Sequence, residues 1–449
     1  MVTIYFPSEN RSRLDFILRH IFKNTLGIDF TITDDREAFL SDKGACINYS
    51  AQNLKHGLWI FPDGLLSETG LNKRDSLSVS EWKNLFCFFA QKQGDIPFDL
   101  FSAAFYLLTS YEEYFSENLD EHGRFSHSAS LAFKYGFLEI PLIDRWSYLL
   151  KDELKIRHPE LLCNMRNYQF ISTFDIDHPY LYKNKGVKSI GLFAKDLLRL
   201  DFKTAYHRLT TCLFSAPDPY FEAIERIEEI HKKIILPYYL FILMGKRGKK
   251  GRSSNFPDSF WKTLQWKNRA EIGLHPSYDA FGDINLLIRE KEELERYLSW
   301  KSGYIANNDR ITCIRRHFLR YVCPDSFRQS IAAELDEEFS LGYAKLPGFR
   351  SSTAIPYLFY DLQKDVVTNL LIRPTIIMDT TLITHLNLTP NAALEKIKQL
   401  ADECKISHGD FVMLWHNSHL AYDEKKNPWI NVFIQAFNYA ISGEIDNFA

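Results

Sequence analysis

Short apolar runs alternate with amphipathic segments through the second half of the chain, whereas the first half contains one strongly apolar helical pattern. In residues 97–114, Pro97 stands at a first-turn position and apolar residues follow at helical spacing, which predicts a core-facing helix. Farther along, the repeated order of strand then helix predicts a mainly parallel sheet, either open or closed into a barrel. The predicted strands lie near 168–175, 234–243, 270–274, 311–316, 339–344, 372–378 and 410–416, and the predicted helices near 187–200, 219–232, 258–266, 284–300, 325–335, 391–404 and 428–441.

A largely polar stretch, residues 155–167, separates the two patterns, and we predict a domain boundary there. The 449-residue length is long enough for two or three domains. The sequence therefore predicts a smaller N-terminal α/β domain over 1–165, of unknown role, and a second α/β domain over 166–449.

Composition and charge exclude several classes of protein. The net charge of −3 provides no basic excess for nonspecific nucleic-acid binding. The longest apolar run, 234–244, has 11 residues, whereas a membrane-spanning helix needs about 20. The seven cysteines form no C-x-x-C pair, which indicates reduced thiols. The N-terminal residues do not resemble a signal peptide, so we expect a cytoplasmic protein; the sequence does not indicate an oligomeric state.

Residues with catalytic or metal-binding chemistry follow four of the predicted strands. In parallel α/β folds such residues gather at the carboxyl ends of the strands, so the four sets are expected on one face. Taken singly, an Asp-x-Asp pair is often a turn or helix cap, a lone histidine is often structural, and an arginine pair is often ion-paired. The sets in chain order are Asp175, Asp177 and His178; His275 and Asp279; Arg315, Arg316 and His317; His416, Asn417 and His419.

A carboxylate beside a neutral imidazole is suited to a divalent cation, and nitrogen ligands favour Zn²⁺. Asp177 and His275 are the best candidate ligands. Asp175 lies two residues before Asp177 on the same strand face, so it is a candidate general base. Arg315 could hold Asp175 ionised through a bidentate pair. His416, on another strand, is then available to protonate a leaving amine.

The motifs T-F-D-I-D (173–177), G-L-H-P-S-Y-D (273–279), R-R-H-F (315–318) and L-W-H-N (414–417) resemble the polysaccharide deacetylase family, also called NodB-like or carbohydrate esterase 4. The segments 97–114, 120–125 and 137–146 resemble a subgroup of larger bacterial members with an extra N-terminal domain. The resemblance implies an irregular (β/α)7 barrel-like domain over 166–449. It also implies a metal-dependent hydrolase that removes acetyl groups, most simply N-acetyl, from a glycan or glycan intermediate.

The resemblance also implies roles for individual residues. Asp175 matches the general base, Asp177 and His275 match metal ligands, and His416 matches the proton donor. The backbone N–H of Phe318 would help to hold the oxyanion. Arg315 belongs to the same motif as Phe318, Leu414 would form a wall of the acetyl pocket, and Trp415 would contribute to substrate binding.

Two departures from the family pattern leave alternatives open. The second motif has Asp279 where a second histidine is usual, so the third ligand is Asp279, which we favour, or His317 or His178. A carboxylate there would make Mn²⁺, Ni²⁺ or Co²⁺ alternatives to Zn²⁺. Arg350 is a candidate substrate contact, although an ion-paired loop arginine is an equal alternative.

Two other functions compete with the deacetylase. The first is a catalytically inactive glycan-binding or scaffold protein on the same fold, which would have no need to keep Asp175 and His416. The second is a haloacid dehalogenase-type phosphatase, which is discounted because His178 and Pro179 occupy the positions of the Gly-Thr that this class needs after its second aspartate.

Overall fold

The computed structural model describes residues 1–74, 77–183, 185, 188–214, 216–234, 236–245, 256, 260–261, 270–302, 310–423 and 425–442. The chain is mixed α/β with two parallel sheets. Most of the helix predicted at 258–266 lies outside the described residues. Among the described residues, no helix is both long and apolar enough to cross a lipid bilayer.

The N-terminal region is organised around a four-stranded parallel sheet with the strand order β2-β1-β3-β4. A short antiparallel pair, β5 and β6, follows, and the helix predicted over 97–114 is present as α3, whose side chains are all buried. The elements are β1 (Val2–Tyr5), α1 (Ser12–Leu18, continued by a π-helix over Arg19–Thr25), β2 (Phe30–Thr33), α2 (Arg36–Ser41), β3 (Ala45–Tyr49), β4 (Leu58–Ile60), β5 (Ser80–Trp82), β6 (Leu85–Cys87), α3 (Leu100–Leu108), α4 (Leu131–Tyr135) and α5 (Leu142–Arg157).

The rest of the chain builds a nine-stranded sheet with the order β12-β13-β11-β10-β9-β8-β7-β15-β14. All neighbouring strands are parallel except β12 and β13. The elements are β7 (Gln169–Ile176), α6 (Lys188–Leu198), α7 (Phe202–Leu213), α8 (Pro219–Ile234), β8 (Tyr238–Leu243), β9 (Ala270–His275), α9 (Ile284–Ser302), β10 (Cys313–Ile314), α10 (Asp325–Ala332), β11 (Glu337–Glu338), β12 (Tyr357–Asp361), β13 (Val366–Ile372), β14 (Ile377–Met378), α11 (Pro390–Ile406), β15 (Asp410–His416) and α12 (Pro428–Ser442).

The chain between β13 and β14 forms backbone hydrogen bonds with two strands, β11 and β15, that are far apart in the strand order of this sheet. The backbone N–H of Arg373 donates to Glu338 on β11, at 3.0 Å. Three residues later, the N–H of Ile376 donates to Val412 on β15, at 3.1 Å. One continuous segment therefore joins β11 to β15.

One large hydrophobic core joins the N-terminal region to part of the second half. It contains side chains from the first sheet and from α3 and α5, together with Tyr321, Phe327 and residues of β12 and β13. The antiparallel β12–β13 hairpin, which the periodicity did not predict, thus packs on the N-terminal region. The domain boundary near residue 165 stays a prediction, because this core extends across it.

Candidate metal and acid–base site

Strand β7 presents Asp175 towards the site because side chains alternate along a strand. Phe174 and Ile176 point the other way, into a second hydrophobic core that also contains side chains of α8, α11 and α12 and is called the outer core below. In the parallel register of β15 and β7, His416 lies directly beside Asp175. The two residues that the sequence assigned as base and proton donor are therefore neighbours across adjacent strands.

Asp175 is buried and contacts Arg315, whose Nη1 donates to its Oδ1 at 3.1 Å. The hydrogen bond is made by one nitrogen only, whereas a bidentate pair was predicted from the sequence. The Arg315 guanidinium also lies over the Phe241 ring, 4.5 Å from its centroid. A Cβ at Gly273 would lie 2.5 Å from that ring, so the glycine of the G-L-H motif leaves the space that this support of Arg315 needs.

Asp177, His275 and His317 form a group whose candidate ligand atoms all lie within 4.8 Å of one another. The Nε2 of His275 is 3.4 Å from Oδ1 of Asp177, and the Nε2 of His317 is 3.9 Å from the same oxygen. The ring centroids of the two histidines are 5.0 Å apart. Two imidazoles and one carboxylate thus converge on one point at the ends of β7, β9 and β10.

A hydrogen bond from His275 determines which of its two ring nitrogens faces Asp177. Its Nδ1 donates to the Arg315 carbonyl at 2.5 Å, because a carbonyl oxygen can only accept. The other ring nitrogen, Nε2, therefore faces Oδ1 of Asp177. Both atoms are buried, and neither has a hydrogen-bond partner among the described residues. This is a place for a positive charge, either a proton on the imidazole or a metal ion between the two atoms.

The charges around this group likewise favour a positive charge at this place. Burial opposes a positive charge on His275, but the carboxylates of Asp175 and Asp177 outweigh burial and raise its pKa. Burial also opposes the charge on Asp177, yet His275 and the other nearby histidines hold its pKa well below the ordinary value. Burial, together with the neighbouring His275, lowers the pKa of His317 to about 3, so this ring is neutral and able to ligate. The group is therefore compatible with a divalent metal.

Asp379, His416 and His419 form a second group of the same composition. The Nδ1 of His416 is 2.7 Å from Oδ1 of Asp379, and the Nδ1 of His419 is 2.8 Å from Oδ2. The backbone N–H groups of Thr380 and His416 donate to the same carboxylate, each at 2.6 Å. Asp379 is fully buried and uses both of its oxygens in hydrogen bonds.

This network controls the charge of His416. Burial by itself would lower the pKa of His416, but the charge and hydrogen bond of Asp379, together with the nearby carboxylates of Asp177 and Asp175, outweigh burial and raise it to about 10. Burial likewise opposes the charge on Asp379, and the two histidines hold the pKa of Asp379 well below its ordinary value. Asp379 lies at the end of an apolar strand, β14, which is the signal that identified the other site residues. No role for Asp379 was nevertheless predicted from the sequence.

The turn after β10 places Phe318 at the edge of the site. Its backbone has φ of 63°, a left-handed conformation that is uncommon outside glycine, and the residue is 41% exposed. The Phe318 carbonyl accepts a hydrogen bond from Arg124, and the His122 ring lies 4.9 Å from the Phe318 ring. The N-terminal segment 120–125 thus supports this turn, and the sequence analysis assigned neither of its two residues to the site.

Three sequence-predicted site residues are placed elsewhere. Asp279 is exposed on a short 3₁₀ helix after Pro276 and is not part of either group, so His317 is the third residue that the geometry brings to Asp177 and His275. His178 is also outside both groups. Trp415 points away from the site, because strand alternation turns it towards Phe433 in the outer core, at 5.3 Å between ring centroids.

Arg350 is not available to a substrate. It is buried, and its Nε and Nη2 both donate to the Glu113 carboxylate at 2.9 Å, while Nη1 donates to the Gly342 carbonyl. The ion-pair alternative therefore describes Arg350, with its partner in the N-terminal region. Leu414 is buried beside Leu319 and Met378 in a small apolar cluster.

The comparisons with known proteins cover different parts of the chain. Residues 2–159 match a family model described as a family of unknown function (DUF7033). No curated protein matches the chain.

Several solved structures resemble the chain at low identity. A proposed polysaccharide deacetylase from Mycobacterium smegmatis is 13% identical, with a TM-score of 0.40, over 63% of this chain and 86% of that one. A proposed polysaccharide deacetylase involved in O-antigen biosynthesis from Bordetella bronchiseptica is 12% identical, with a TM-score of 0.29, over 62% and 85%. A 4-α-glucanotransferase from Thermococcus litoralis is 13% identical, with a TM-score of 0.36, over 62% and 38%. At these values, the roles of the site residues depend on the geometry of this chain.

Proposed function

We propose that the chain is a metal-dependent hydrolase that removes acetyl groups, most simply N-acetyl groups, from a glycan or glycan intermediate. The observation that carries the proposal is the convergence of Asp177, His275 and His317, whose candidate ligand atoms lie within 4.8 Å of one another. This group lies next to Asp175 and His416, which have the chemistry of a base and an acid.

The metal would be held by Asp177, His275 and His317. Two imidazoles and one carboxylate are a donor set of zinc hydrolases, so Zn²⁺ is the favoured ion, with Mn²⁺, Ni²⁺ and Co²⁺ as alternatives. When bound, the cation supplies Lewis-acid polarisation of the acetyl carbonyl. The Nδ1–H bond from His275 to Arg315 orients the ligating nitrogen.

In the proposed reaction, Asp175 accepts a proton from the water that attacks the acetyl carbon, and Arg315 keeps the Asp175 carboxylate in place. The oxyanion that forms is held by the backbone N–H of Phe318. His416 is protonated at neutral pH, because its pKa is raised to about 10, and it donates a proton to the leaving nitrogen as the C–N bond breaks. The products are acetate and a free amine.

We further propose that the site lies at the mouth of a seven-stranded, irregular (β/α) barrel. The strands would be β7, β8, β9, β10, β11, the segment from β13 to β14, and β15. The hydrogen bonds of that segment to β11 and to β15 support a closed ring. Leu414, with Leu319 and Met378, would form the apolar wall for the acetyl methyl group.

A sugar ring of the substrate would stack on the exposed Phe318 ring, because sugar rings stack on aromatic surfaces. Tyr278 lies 5.6 Å from Phe318, and His122 lies 4.9 Å from it, so three rings form one patch beside the metal group. This patch is also what the competing function, an inactive glycan-binding protein, would use. The two functions differ in whether acetate is released.

The test is acetate release from a panel of N-acetylated and O-acetylated oligosaccharides by the zinc-loaded protein, with free amine measured in parallel. We expect equal amounts of acetate and amine from an N-acetylated member of the panel. Binding of a panel member with no acetate released, by protein shown to contain the metal, would instead establish the glycan-binding function.

A further inference from the structure

Helices α6 and α7 form a hairpin between β7 and α8 that exposes an unusual amount of apolar surface. No side chain of α6 is buried. Leu198 is 86% exposed, Leu200 74%, Ile190 71% and Leu213 69%. Proteins that stay monomeric in water rarely keep such a concentration of large apolar side chains uncovered, which makes this surface a candidate interaction site.

The exposed apolar side chains lie on one side of each helix. On α7, Phe202, Tyr206 and Leu213 recur at i, i+4 and i+11, which are positions of one helical face. On α6, Ile190 and Leu197 are separated by seven residues and share a face in the same way. Both helices are thus amphipathic with the apolar face outward.

The polar residues of the hairpin are mainly basic. Residues 188–214 contain five Lys and Arg residues against two Asp residues, although the whole chain has a net charge of −3. One of these cations, Arg208, is buried and paired with Asp196 at 2.7 Å. The other four, Lys188, Lys195, Arg199 and Lys203, are exposed beside the apolar side chains.

A cavity of about 580 Å³ adjoins the hairpin and has the same mixed character. Its lining includes Phe193, Leu209 and Leu213, with Lys183 and Arg208 on its polar side. An amphiphile with an apolar chain and an anionic headgroup matches this lining in both chemistry and charge.

We propose that the α6–α7 hairpin is a peripheral membrane-binding element, which lies in the plane of an anionic lipid bilayer. Exposed leucine and phenylalanine side chains next to lysines and arginines are the features of interfacial helices that bind anionic lipids. A second copy of this chain fits less well, since symmetric pairing would bring four exposed cations against four others.

The hairpin is attached to the rim of the proposed catalytic site. The Asp218 carboxylate accepts the backbone N–H groups of Leu181, Tyr182 and Lys183, and so ties the start of the hairpin to its end. The Tyr182 hydroxyl is 2.8 Å from that of Tyr422, on the chain that follows β15. A bilayer bound to the hairpin would therefore lie near the site. This inference goes beyond the proposed hydrolase and does not depend on it.

The test is vesicle flotation of the full chain with phosphatidylcholine vesicles, with and without phosphatidylglycerol, at low and high NaCl. We expect binding only to the vesicles that contain phosphatidylglycerol, weakened by NaCl. The double variant Leu198→Glu/Leu200→Glu should lower the partition coefficient by at least about tenfold, because it removes two leucines that would be buried in the lipid.

The matched control is Leu162→Glu, which changes a leucine that is 87% exposed but lies outside the hairpin. It should bind vesicles like the wild type. Absence of binding to phosphatidylglycerol vesicles, or equal loss in the control and the double variant, would overturn the proposal. A wild-type dimer that the double variant dissociates, without vesicle binding, would show that the face joins two copies instead.

Discussion

Two clusters in this protein have the same composition, one aspartate and two histidines, but use their atoms differently. In the first, Oδ1 of Asp177 and Nε2 of His275 face each other without a hydrogen-bond partner among the described residues. In the second, both oxygens of Asp379 are at hydrogen-bond distance from the Nδ1 atoms of His416 and His419. The first cluster leaves these atoms available to a metal ion, whereas hydrogen bonds occupy both oxygens of Asp379 in the second. Residue type alone therefore does not identify a metal site; the direction of lone pairs and N–H groups decides.

The largest effect should come from breaking the first cluster. Asp177→Ala or His275→Ala removes a proposed ligand, and we expect deacetylation to fall by at least about 10³-fold, since Lewis-acid stabilisation contributes several kcal/mol. His317→Ala should have an effect of the same kind. The measurement is acetate release at saturating zinc.

Asp279→Ala is the matched control for these variants, because it removes an exposed carboxylate from the same motif. Its activity should be close to that of the wild type. A loss of activity in Asp279→Ala comparable to that in His275→Ala, with His317→Ala unaffected, would return the third ligand to Asp279.

Changes to the acid–base pair should leave metal binding in place and reduce the rate. Asp175→Asn and His416→Ala should each lower kcat by about 10²–10⁴-fold, the usual contribution of a general base or acid. The measurement is kcat together with metal content. Loss of the metal in either variant would mean that the substituted residue also helps to hold the metal.

Asp379→Asn should change the pH profile more than the maximal rate. Activity needs protonated His416, so it falls as pH rises through the pKa of His416, which Asp379, with Asp177 and Asp175, raises to about 10. Without the Asp379 carboxylate, the largest contribution that opposes burial is lost, and the alkaline limb should move to lower pH. Rate measured against pH tests this shift. An unmoved alkaline limb would show that Asp379 does not set the charge of His416.

The smallest effect is expected from His419→Ala. His419 contacts the other oxygen of Asp379, and its side chain is 28% exposed, so water can replace its N–H group. We expect less than about a tenfold loss in kcat and no loss of metal. A drop as large as that of His416→Ala would assign His419 a direct part in proton transfer.

Sequence periodicity predicted long elements well and short ones poorly. Strand β15 begins and ends as predicted, and α11 and α12 differ by one or two residues, since each has a regular apolar pattern. The predicted strand at 339–344 is wrong: β11 contains only Glu337 and Glu338. The apolar residues after β11 are buried in irregular chain. A short apolar run of this kind has the same sequence pattern as a buried strand, so the sequence does not distinguish the two.

Placement at the carboxyl end of a strand, which the sequence predicted, does bring Asp177 near His275 and Asp175 beside His416, although the roles of these residues stay predictions. The preference for Asp279 as the third ligand does not agree with the geometry, which brings His317 to Asp177 and His275 instead. The spacing after His275 suggests a ligand but does not show that the chain turns into a 3₁₀ helix and exposes the Asp279 side chain. Asp379 was missed although it ends a predicted strand, since its role depends on two histidines about 40 residues away. Arg350 was ambiguous for a similar reason: its partner, Glu113, is 237 residues distant.

The most direct test of the difference between the clusters is the zinc content per chain, measured by plasma mass spectrometry, in the wild type, His275→Ala and His416→Ala. The account predicts one zinc ion in the wild type and in His416→Ala, and none in His275→Ala. Retention of zinc by His275→Ala together with its loss from His416→Ala would place the metal at Asp379 and contradict the account.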